Sequence, residues 1–122
     1  MIIGIGVDIV QVERIAKWRN TPGLLERFFH PDELSDMHSR GTGMEMSLAA
    51  HFAAKEAFGK ALGTGLTGIV LQDIMVKSNN NGKPEIMVSG TAMKALENSG
   101  ANKVHLSLAH EKDYAIAMVV LE

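Results

Sequence analysis

The sequence predicts an α+β fold in which a mainly antiparallel sheet packs around one long central helix. Three observations lead to this prediction. Residues 48–62 are proline-free and rich in Ala, Leu and Phe, and Gly63 and Gly65 follow them, as is typical of a helix and its end. Short β-branched or alternating segments occur near both ends of the chain, and the later ones are grouped as hairpins. The helical segments stand in blocks instead of alternating with strands, which favours α+β over α/β.

Length and composition are those of one small domain. The chain has 122 residues, 46% of them hydrophobic, so residues 1–122 are expected to form a single core. A net charge of -2 argues against a general nucleic-acid or anionic-membrane binder. The apolar start contains Asp8 and lacks a basic segment, so we expect neither a signal peptide nor a membrane span. Zero cysteines exclude thiol nucleophiles and iron–sulfur ligation, and the cytoplasm is the expected compartment.

The first predicted element is a strand over residues 2–10. Its odd-numbered residues from 3 to 9 are β-branched and share one face, while the other face carries Gly4, Gly6 and Asp8. Two interpretations of that second face are open at this point. Asp8 caps the next helix and the glycines allow another element to pack closely, or Asp8 is a carboxylate at the end of a bare groove and belongs to a site.

Two helices are predicted next, over residues 12–19 and about 31–39. The first places Arg14 and Lys17 outward, giving a basic face that is either simply solvated or able to dock an acidic partner. The second begins with Pro31 and has acidic residues in its first turn, at the positive end of the helix dipole.

The central helix carries an unusual pair of charges. Glu56 and Lys60 lie about 40° apart on the helix, and small or apolar residues cover most of the remaining circumference, which predicts a buried helix. Burying two ions costs several kcal/mol each, whereas an exposed pair returns roughly 0.2 to 0.5 kcal/mol. The pair is therefore either an ordinary surface ion pair or a metal ligand beside a phosphate-neutralising cation.

The second half of the chain predicts two hairpins and one helix. A glycine-rich loop over residues 63–68 follows the negative end of a helix, so it matches a phosphate-binding loop poorly. The last strand is apolar on both faces, and we expect the last hairpin to lie at the centre of the sheet. The elements are strands Ile69–Lys77 and Glu85–Ser89, a helix over Gly90–Ser99, and strands Lys103–His110 and Tyr114–Leu121.

Three segments carry a resemblance to a known family. GIGVDIV, FAAKEAFGKALGTG and VHLSLAHEKDYAIAMVVLE stand in the order and spacing of the holo-[acyl-carrier-protein] synthases, the small bacterial 4'-phosphopantetheinyl transferases. The resemblance implies that family's fold and a Mg²⁺-dependent transfer of phosphopantetheine from coenzyme A to a serine of apo-acyl carrier protein, in fatty acid biosynthesis. It implies Asp8 and Glu56 as the metal ligands and Lys60 as the residue that contacts the coenzyme A phosphates. An all-oxygen ligand shell is the one that Mg²⁺ prefers.

The resemblance leaves some roles open. The general base is a metal-held water, Glu56 or a histidine, and His110 is a candidate because it matches a position that is histidine in some relatives and acidic in others. His105 has a family counterpart close to the 3'-phosphate of the coenzyme. His51 stands where many relatives have arginine, and a histidine there is expected to hold phosphate less well as the pH rises.

The resemblance also implies partners. Acyl carrier proteins are acidic, so Arg14, Lys17 and Arg27 are predicted to form the docking surface. The family implies a homotrimer with active sites at its subunit interfaces, and the apolar second face of the last strand supports such packing. Two alternatives stay open: a phosphopantetheinyl transferase that serves carrier proteins of polyketide or peptide synthesis, and a non-catalytic metal- or nucleotide-binding module.

Overall fold

The computed structural model describes residues 1–122, except for the side chain of Thr42. The helices are α1 Val12–Ala16, α2 Leu24–Phe28, α3 Pro31–His38, α4 Met44–Leu62 and α5 Gly90–Ser99. The strands are β1 Gly4–Gln11, β2 Ile74–Ser78, β3 Pro84–Val88, β4 Val104–Glu111 and β5 Tyr114–Leu121. Short 3₁₀ segments cover Lys17–Asn20, Gly41–Gly43 and Leu71–Asp73.

All strand pairs that the structure describes are antiparallel, which confirms the predicted α+β class. The main sheet has the order β1-β5-β4, and β2 pairs with β3 in a separate ribbon. Within the last hairpin, β5 is central, as expected, while β4 is an edge strand. The register aligns Asp8 on β1 with Ala117 on β5 and Leu108 on β4, so these residues share one face of the sheet.

Helix α4 packs across β1 and β5 on that face. Two glycines of β1 allow this close approach, because a Cβ on Gly4 would collide with the carbonyl oxygen of Ala61 and one on Gly6 with that of Ala57. The close-packing interpretation of these glycines is therefore confirmed. Its consequence for the site is that the backbone of β1 lies directly against the helix turns that carry Glu56 and Lys60.

The predicted burial of the central helix is also confirmed. Thirteen of the nineteen residues of α4 are buried, since alanines let the neighbouring elements approach on nearly every side. The helix ends where Gly63 adopts the left-handed conformation, with φ of 81°, and its amide donates to the carbonyl oxygen of Lys60. Its start lies at Met44, one turn earlier than the expected Leu48.

One predicted strand is shorter in the structure. Residues 69–73 do not pair in the ribbon, and β2 begins only at Ile74. The physical reason is that polar groups of residues 69–73 form hydrogen bonds with α4 and α5 instead of with β3. The carbonyl oxygen of Leu71 accepts from Lys55 Nζ at 2.9 Å, and Asp73 Oδ2 accepts from the amide and the hydroxyl of Thr91 at 2.8 and 2.6 Å.

The face of the main sheet that points away from α4 is apolar and open in the single chain. Ile5 and Ile9 are each 59% exposed, Val7 is 53% exposed and Met118 is 46% exposed. This is an unusual arrangement for β-branched side chains, which normally lie inside a core.

None of the helices in the described part of the chain has the length and apolar run needed to span a bilayer.

Candidate active site

Residues from β1 and α4 meet in one polar cluster beside the sheet edge. Lys60 Nζ donates to Asp8 Oδ1 at 2.8 Å and to the carbonyl oxygen of Val7 at 3.1 Å. On the helix, Lys60 lies one turn after Glu56, but the carboxylate it binds is that of Asp8. The interpretation of Glu56 and Lys60 as an ordinary helix-surface pair is therefore wrong. Asp8, Glu56 and Lys60 form a single cluster, which we call the carboxylate cluster.

The cations near this cluster do not fully compensate the charge of its two carboxylates. Burial raises the pKa of Glu56, and the nearby Asp8 carboxylate raises it further, while Lys60 and Arg14 only partly offset these effects. The hydrogen bond to Asp8 raises the pKa of Lys60, and that ammonium keeps its charge at neutral pH. The Lys60 side chain is 53% exposed, so it can also reach an anion in solvent.

The donor set of the cluster suits a hard cation. Asp8 and Glu56 offer carboxylate oxygens, and among the residues that the structure describes no group of three or more His, Cys, Asp or Glu is placed to hold a metal. A site with two protein carboxylates leaves the remaining positions to water and substrate oxygens, which is how Mg²⁺ is commonly bound. With Lys60 beside it, such a site can accept a phosphate group.

A second cluster of predicted residues lies in a groove near the other edge of the sheet. His51 and His110 both line a groove of about 220 Å³ between α4, β4 and the β2–β3 ribbon. His51 precedes Glu56 by five residues, which places the two about 140° apart around α4. Because β5 lies between β1 and β4, the groove and the carboxylate cluster occupy different edges of the sheet in one chain.

His105 lies on neither of these sites. Its register with Val120 and that of Val120 with Ile5 place it on the open face of the sheet, opposite to Asp8. There its Nε2 lies 3.0 Å from Glu122 Oε1. The single chain therefore does not bring His105 to the carboxylate cluster.

The three predicted docking cations are all exposed. Arg14 and Lys17 follow β1 directly, in α1 and the 3₁₀ turn after it, and Arg27 lies on α2. The guanidinium of Arg14 lies 5.8 Å from the centre of the Phe52 ring, over its face. Arg14 thus packs on α4, within electrostatic range of Glu56.

Sequence reasoning missed a buried ionic network on the groove side of α4. Glu33 Oε1 accepts from Lys55 Nζ at 2.7 Å, and Glu33 Oε2 lies 2.8 Å from His51 Nδ1. Burial alone would raise the pKa of Glu33, but the hydrogen bond with His51 and the charge of Lys55 outweigh it, and the pKa is lowered. Burial lowers the pKa of Lys55, against the opposing charge of Glu33.

The sequence contained part of the signal for this network. Lys55 stands in the same apolar helix as Glu56, and its burial implies a charged partner. The acid in the first turn of α3 was predicted to interact with the helix dipole, and Glu33 does accept from the His30 amide in a capping box at 2.9 Å. Its pairing with α4 depends on a tertiary contact across 22 residues, which no local pattern encodes.

Comparisons with known proteins point to the same family along the whole chain. Residues 4–119 match the model of the 4'-phosphopantetheinyl transferase superfamily. A holo-[acyl-carrier-protein] synthase of Treponema denticola is 53% identical over 122 residues, covering 100% of this chain and 99% of that protein. The corresponding protein of Treponema pallidum is 46% identical, covering 100% of this chain and 97% of that one.

Solved structures agree with these sequence matches. The holo-[acyl-carrier-protein] synthase of Neisseria meningitidis superimposes with a TM-score of 0.90 at 39% identity, covering 100% of this chain and 99% of that chain. That of Bacillus anthracis, solved in complex with CoA (3',5'-ADP), gives a TM-score of 0.83 at 36% identity, covering 99% of this chain and 96% of that one.

Proposed function

The chain belongs to the 4'-phosphopantetheinyl transferase superfamily, and from this premise we propose that it transfers the 4'-phosphopantetheine group of coenzyme A to a serine of apo-acyl carrier protein. The products are holo-acyl carrier protein and 3',5'-ADP. Supplying holo-carrier protein in this way serves fatty acid biosynthesis, and the cytoplasm is the compartment we assign to it. Residues 1–122 act as one catalytic domain.

The observation that carries the proposal is the meeting of Asp8, Glu56 and Lys60. Asp8 on β1 is more than forty residues away in the sequence from Glu56 and Lys60 on α4, yet Lys60 and Asp8 are in direct contact at 2.8 Å. Phosphoryl transfer requires charge to be neutralised on the nonbridging oxygens and the reacting atoms to be held in line. A half-exposed ammonium beside two carboxylates on rigid elements provides both the charge and the positions.

We assign Mg²⁺ to Asp8 and Glu56. The raised pKa of Glu56 supports this, because burial and then the charge of the Asp8 carboxylate raise it, while Lys60 and Arg14 offset only part of the effect. When bound, the metal supplies Lewis-acid stabilisation of the phosphate oxygens. Asp8 and Glu56 would hold it, and Gly4 and Gly6 keep their two backbones close enough to do so.

The transfer is a single displacement at phosphorus. The serine oxygen of the carrier protein forms a bond to the β-phosphorus of coenzyme A, and the bond from that phosphorus to the oxygen bridging to the α-phosphate breaks, which releases 3',5'-ADP. Lys60 stabilises the charge that grows on the phosphate oxygens. The serine proton passes to a base. Within the carboxylate cluster, Glu56 is the candidate for that base. His110 lies at the other edge and would act there only from another subunit.

A homotrimer with shared sites accounts for the separation of the two groups of residues. The carboxylate cluster lies at the β1 edge, while His51 and His110 line a groove at the β4 side. In a head-to-tail ring whose open sheet faces pack against one another around a three-fold axis, the β1 edge of each chain would lie beside the β4 side of its neighbour. His105 and the apolar residues of the open sheet face would then be covered, which supports the proposal.

The carrier protein is proposed to dock on the basic residues of α1 and α2. Arg14, Lys17 and Arg27 are exposed on a chain whose net charge is -2, so this positive surface is local. Opposite charges increase the rate of encounter and fix the orientation of a partner. The start of α1 adjoins the end of β1, so a docked carrier lies beside Asp8.

The direct test is to incubate the protein with coenzyme A, Mg²⁺ and apo-acyl carrier protein and to weigh the carrier by mass spectrometry. We expect the carrier to gain one phosphopantetheine group and 3',5'-ADP to appear in equal amount. A carrier whose modified serine is replaced by alanine, and a reaction with chelator, are the controls. An unmodified carrier under conditions in which a known synthase modifies it would overturn the proposal.

A further inference from the structure

The β2–β3 ribbon is a separate unit beside the main sheet. In the part of the chain that the structure describes, β3 packs next to β4 but is not joined to it by backbone hydrogen bonds. The ribbon contributes the buried side chains of Ile74, Val76 and Ile86 to the core. A two-stranded ribbon alone is at best marginally stable in water, so this one depends on its contacts with the rest of the chain.

The hydrogen bonds inside the ribbon show which backbone groups lie on its free edge. Just after β2, the Asn79 amide donates to the carbonyl oxygen of Lys83 at 2.8 Å. In an antiparallel pair, residues that bond to the partner strand alternate with residues whose backbone groups point away from it. The odd-numbered residues therefore bond to β3, and the even-numbered Ile74 and Val76 present backbone groups to the outer edge of β2.

A buried ion pair occupies that outer edge in place of a third strand. Lys55 Nζ donates to the carbonyl oxygen of Ile74, and Glu33 Oε2 accepts from the Val76 amide at 3.2 Å. Lys55 and Glu33 are 0% and 1% exposed, and they are joined to each other at 2.7 Å. The pair supplies one donor and one acceptor to the strand edge, as a neighbouring strand would.

This ion pair is the polar attachment of the ribbon to the body of the protein. Among the residues that the structure describes, no other group of the α-helices or the main sheet forms a hydrogen bond with β2 or β3. The base of the ribbon is held separately, because Asp73 Oδ2 accepts from the amide and hydroxyl of Thr91 at the start of α5. The ribbon thus has a fixed base and one polar attachment beyond it.

The ribbon also forms one wall of the groove of about 220 Å³ that α4 and β4 line from the other side. The tip of the ribbon lies farthest from the base at Asp73, so it would move most if the ribbon separated from α4. Such a movement would widen the groove. The ribbon residues that line it are Val76, Ser78, Gly82 and Pro84.

We infer that the Glu33–Lys55 pair is a latch that holds the β2–β3 ribbon against α4, and that the ribbon opens from its base at Asp73, widening the groove, while α4 and the main sheet stay folded. Segments with few attachments to the body open at a lower free energy than the whole chain unfolds. The latch is a property of the fold and does not depend on the proposed reaction.

The test is native-state hydrogen exchange, followed by NMR at increasing urea concentrations below the unfolding transition. We expect the amides of Val76 and of the β2–β3 backbone bonds to be protected about tenfold less, or lower still, than those of β5. Their exchange should also depend less on urea, because a local opening exposes less surface than global unfolding. Equal protection and equal urea dependence in the ribbon and in β5 would overturn the inference.

Val119→Ala is the control that changes the body alone, because Val119 is buried on β5 and lies outside the ribbon. The cavity should speed exchange of the β5 amides by about tenfold or more. The ribbon amides should exchange at the wild-type rate, since their opening leaves the core around β5 intact. Equal acceleration of both sets of amides would contradict a separate opening of the ribbon.

The double substitution Glu33→Leu with Lys55→Met tests the latch itself. Replacing a buried ion pair by apolar residues of similar volume is often neutral for the fold as a whole, but here it removes the donor and the acceptor from the edge of β2. We expect the ribbon amides to exchange about tenfold or more faster than in wild type, with the same low urea dependence. The β5 amides should remain the most protected.

Glu33→Gln is the second variant, and it decides the question if the double variant does not fold. It retains the shape of the side chain and weakens the bonds to Lys55 and Val76, so the ribbon amides should again exchange faster and keep their low urea dependence. Ribbon exchange at the wild-type rate in the folded variant would show that Glu33 and Lys55 do not hold the ribbon.

Discussion

The Lys60 ammonium lies 2.8 Å from the Asp8 carboxylate, although 52 residues separate them in the sequence. The contact depends on the two glycines of β1, because any larger residue at either position would push the strand away from α4. The Asp8 side chain is 15% exposed and that of Lys60 is 53% exposed, so the contact stands at the border between the core and solvent. A phosphate that approaches the cluster meets the ammonium without entering the core.

Replacing Lys60 by alanine should slow the chemical step. The ammonium is proposed to stabilise charge that grows toward the transition state, so kcat is expected to fall by roughly 10² to 10³, as for single preorganised donors. Steady-state kinetics with coenzyme A and carrier protein give the measurement. Lys94→Ala, an exposed change on α5, should leave kcat as it is. A change confined to KM would make Lys60 a residue for ground-state binding instead.

Asp8→Asn and Glu56→Gln should each abolish transfer and leave the fold in place. Each variant retains the shape of the side chain and removes one charge from the proposed Mg²⁺ ligands. Calorimetric titration with Mg²⁺ should show loss of binding, and circular dichroism should show unchanged helix content. Near-normal turnover of either variant at ordinary Mg²⁺ concentrations contradicts the metal assignment.

Charge reversal on α1 should weaken carrier binding selectively. For Lys17→Glu we expect a KM for carrier protein that rises several-fold and depends less on salt, while the KM for coenzyme A stays constant. Arg14→Glu is expected to affect kcat as well, because Arg14 lowers the pKa of Glu56 and its reversal removes that effect. Lys94→Glu is the matched control on a distant helix. Equal losses for both substrates with Lys17→Glu would refute the docking role.

Glu33→Gln should lower stability in a manner that depends on pH. Removing one partner of a buried ion pair costs about 3 to 5 kcal/mol, because the other charge is left uncompensated. The pKa of Glu33 is lowered in the fold from its ordinary value of 4.5, so its stabilising contribution is full above that value and is lost as the pH falls toward the folded pKa. Urea unfolding of both proteins should give a difference that is large near neutral pH and narrows below about pH 4.5.

The matched control for that experiment is Glu97→Gln, since Glu97 is exposed on α5. It should unfold like wild type across the same pH range. A difference between wild type and Glu33→Gln that stays constant in acid would show that the ionised carboxylate is not what stabilises the fold.

The sequence predicted elements better than it predicted their partners. The composition of α4 was enough to predict its burial. The apolar residues on both faces of the last strand were enough to predict that β5 has an apolar face outside the core of the chain. Asp8 and Glu56 could be singled out as unusual carboxylates, but only the register of β1 against α4 brings them together. The start of β2 could not be read locally, because Lys55 of α4 binds the carbonyl oxygens of that segment.

The same limit explains why Glu33 was missed. Its position after Pro31 suffices to explain an acid in the first turn of a helix, so nothing local called for a second role. The two functions coexist, since one oxygen accepts from the His30 amide and the Lys55 ammonium while the other faces His51. Lys55 in the apolar helix α4 was the one sign in the sequence that a buried anion was needed.

The open face of the sheet should assemble the trimer. Val7 and Met118 are paired across β1 and β5 and are both about half exposed in the single chain. The substitution Met118→Lys would place a charge in the proposed interface. We expect sedimentation to show dissociation to monomers and the transfer assay to show loss of activity. Met93→Lys, also exposed but on α5, should remain trimeric and active.

Shared sites can then be tested by mixing inactive variants. If Asp8 comes from one subunit and His105 from its neighbour, equal amounts of Asp8→Asn and His105→Ala chains, unfolded and refolded together, should restore activity at about a quarter of the sites. Each restored site takes its intact Asp8 from a His105→Ala chain and its intact His105 from an Asp8→Asn chain. Asp8→Asn mixed with Lys60→Ala should restore none, because those two residues lie 2.8 Å apart within one chain and no hybrid site receives both intact. Restoration in both mixtures, or in neither, would contradict sites shared in this way, and a fully active monomer in dilute solution would remove the trimer as well.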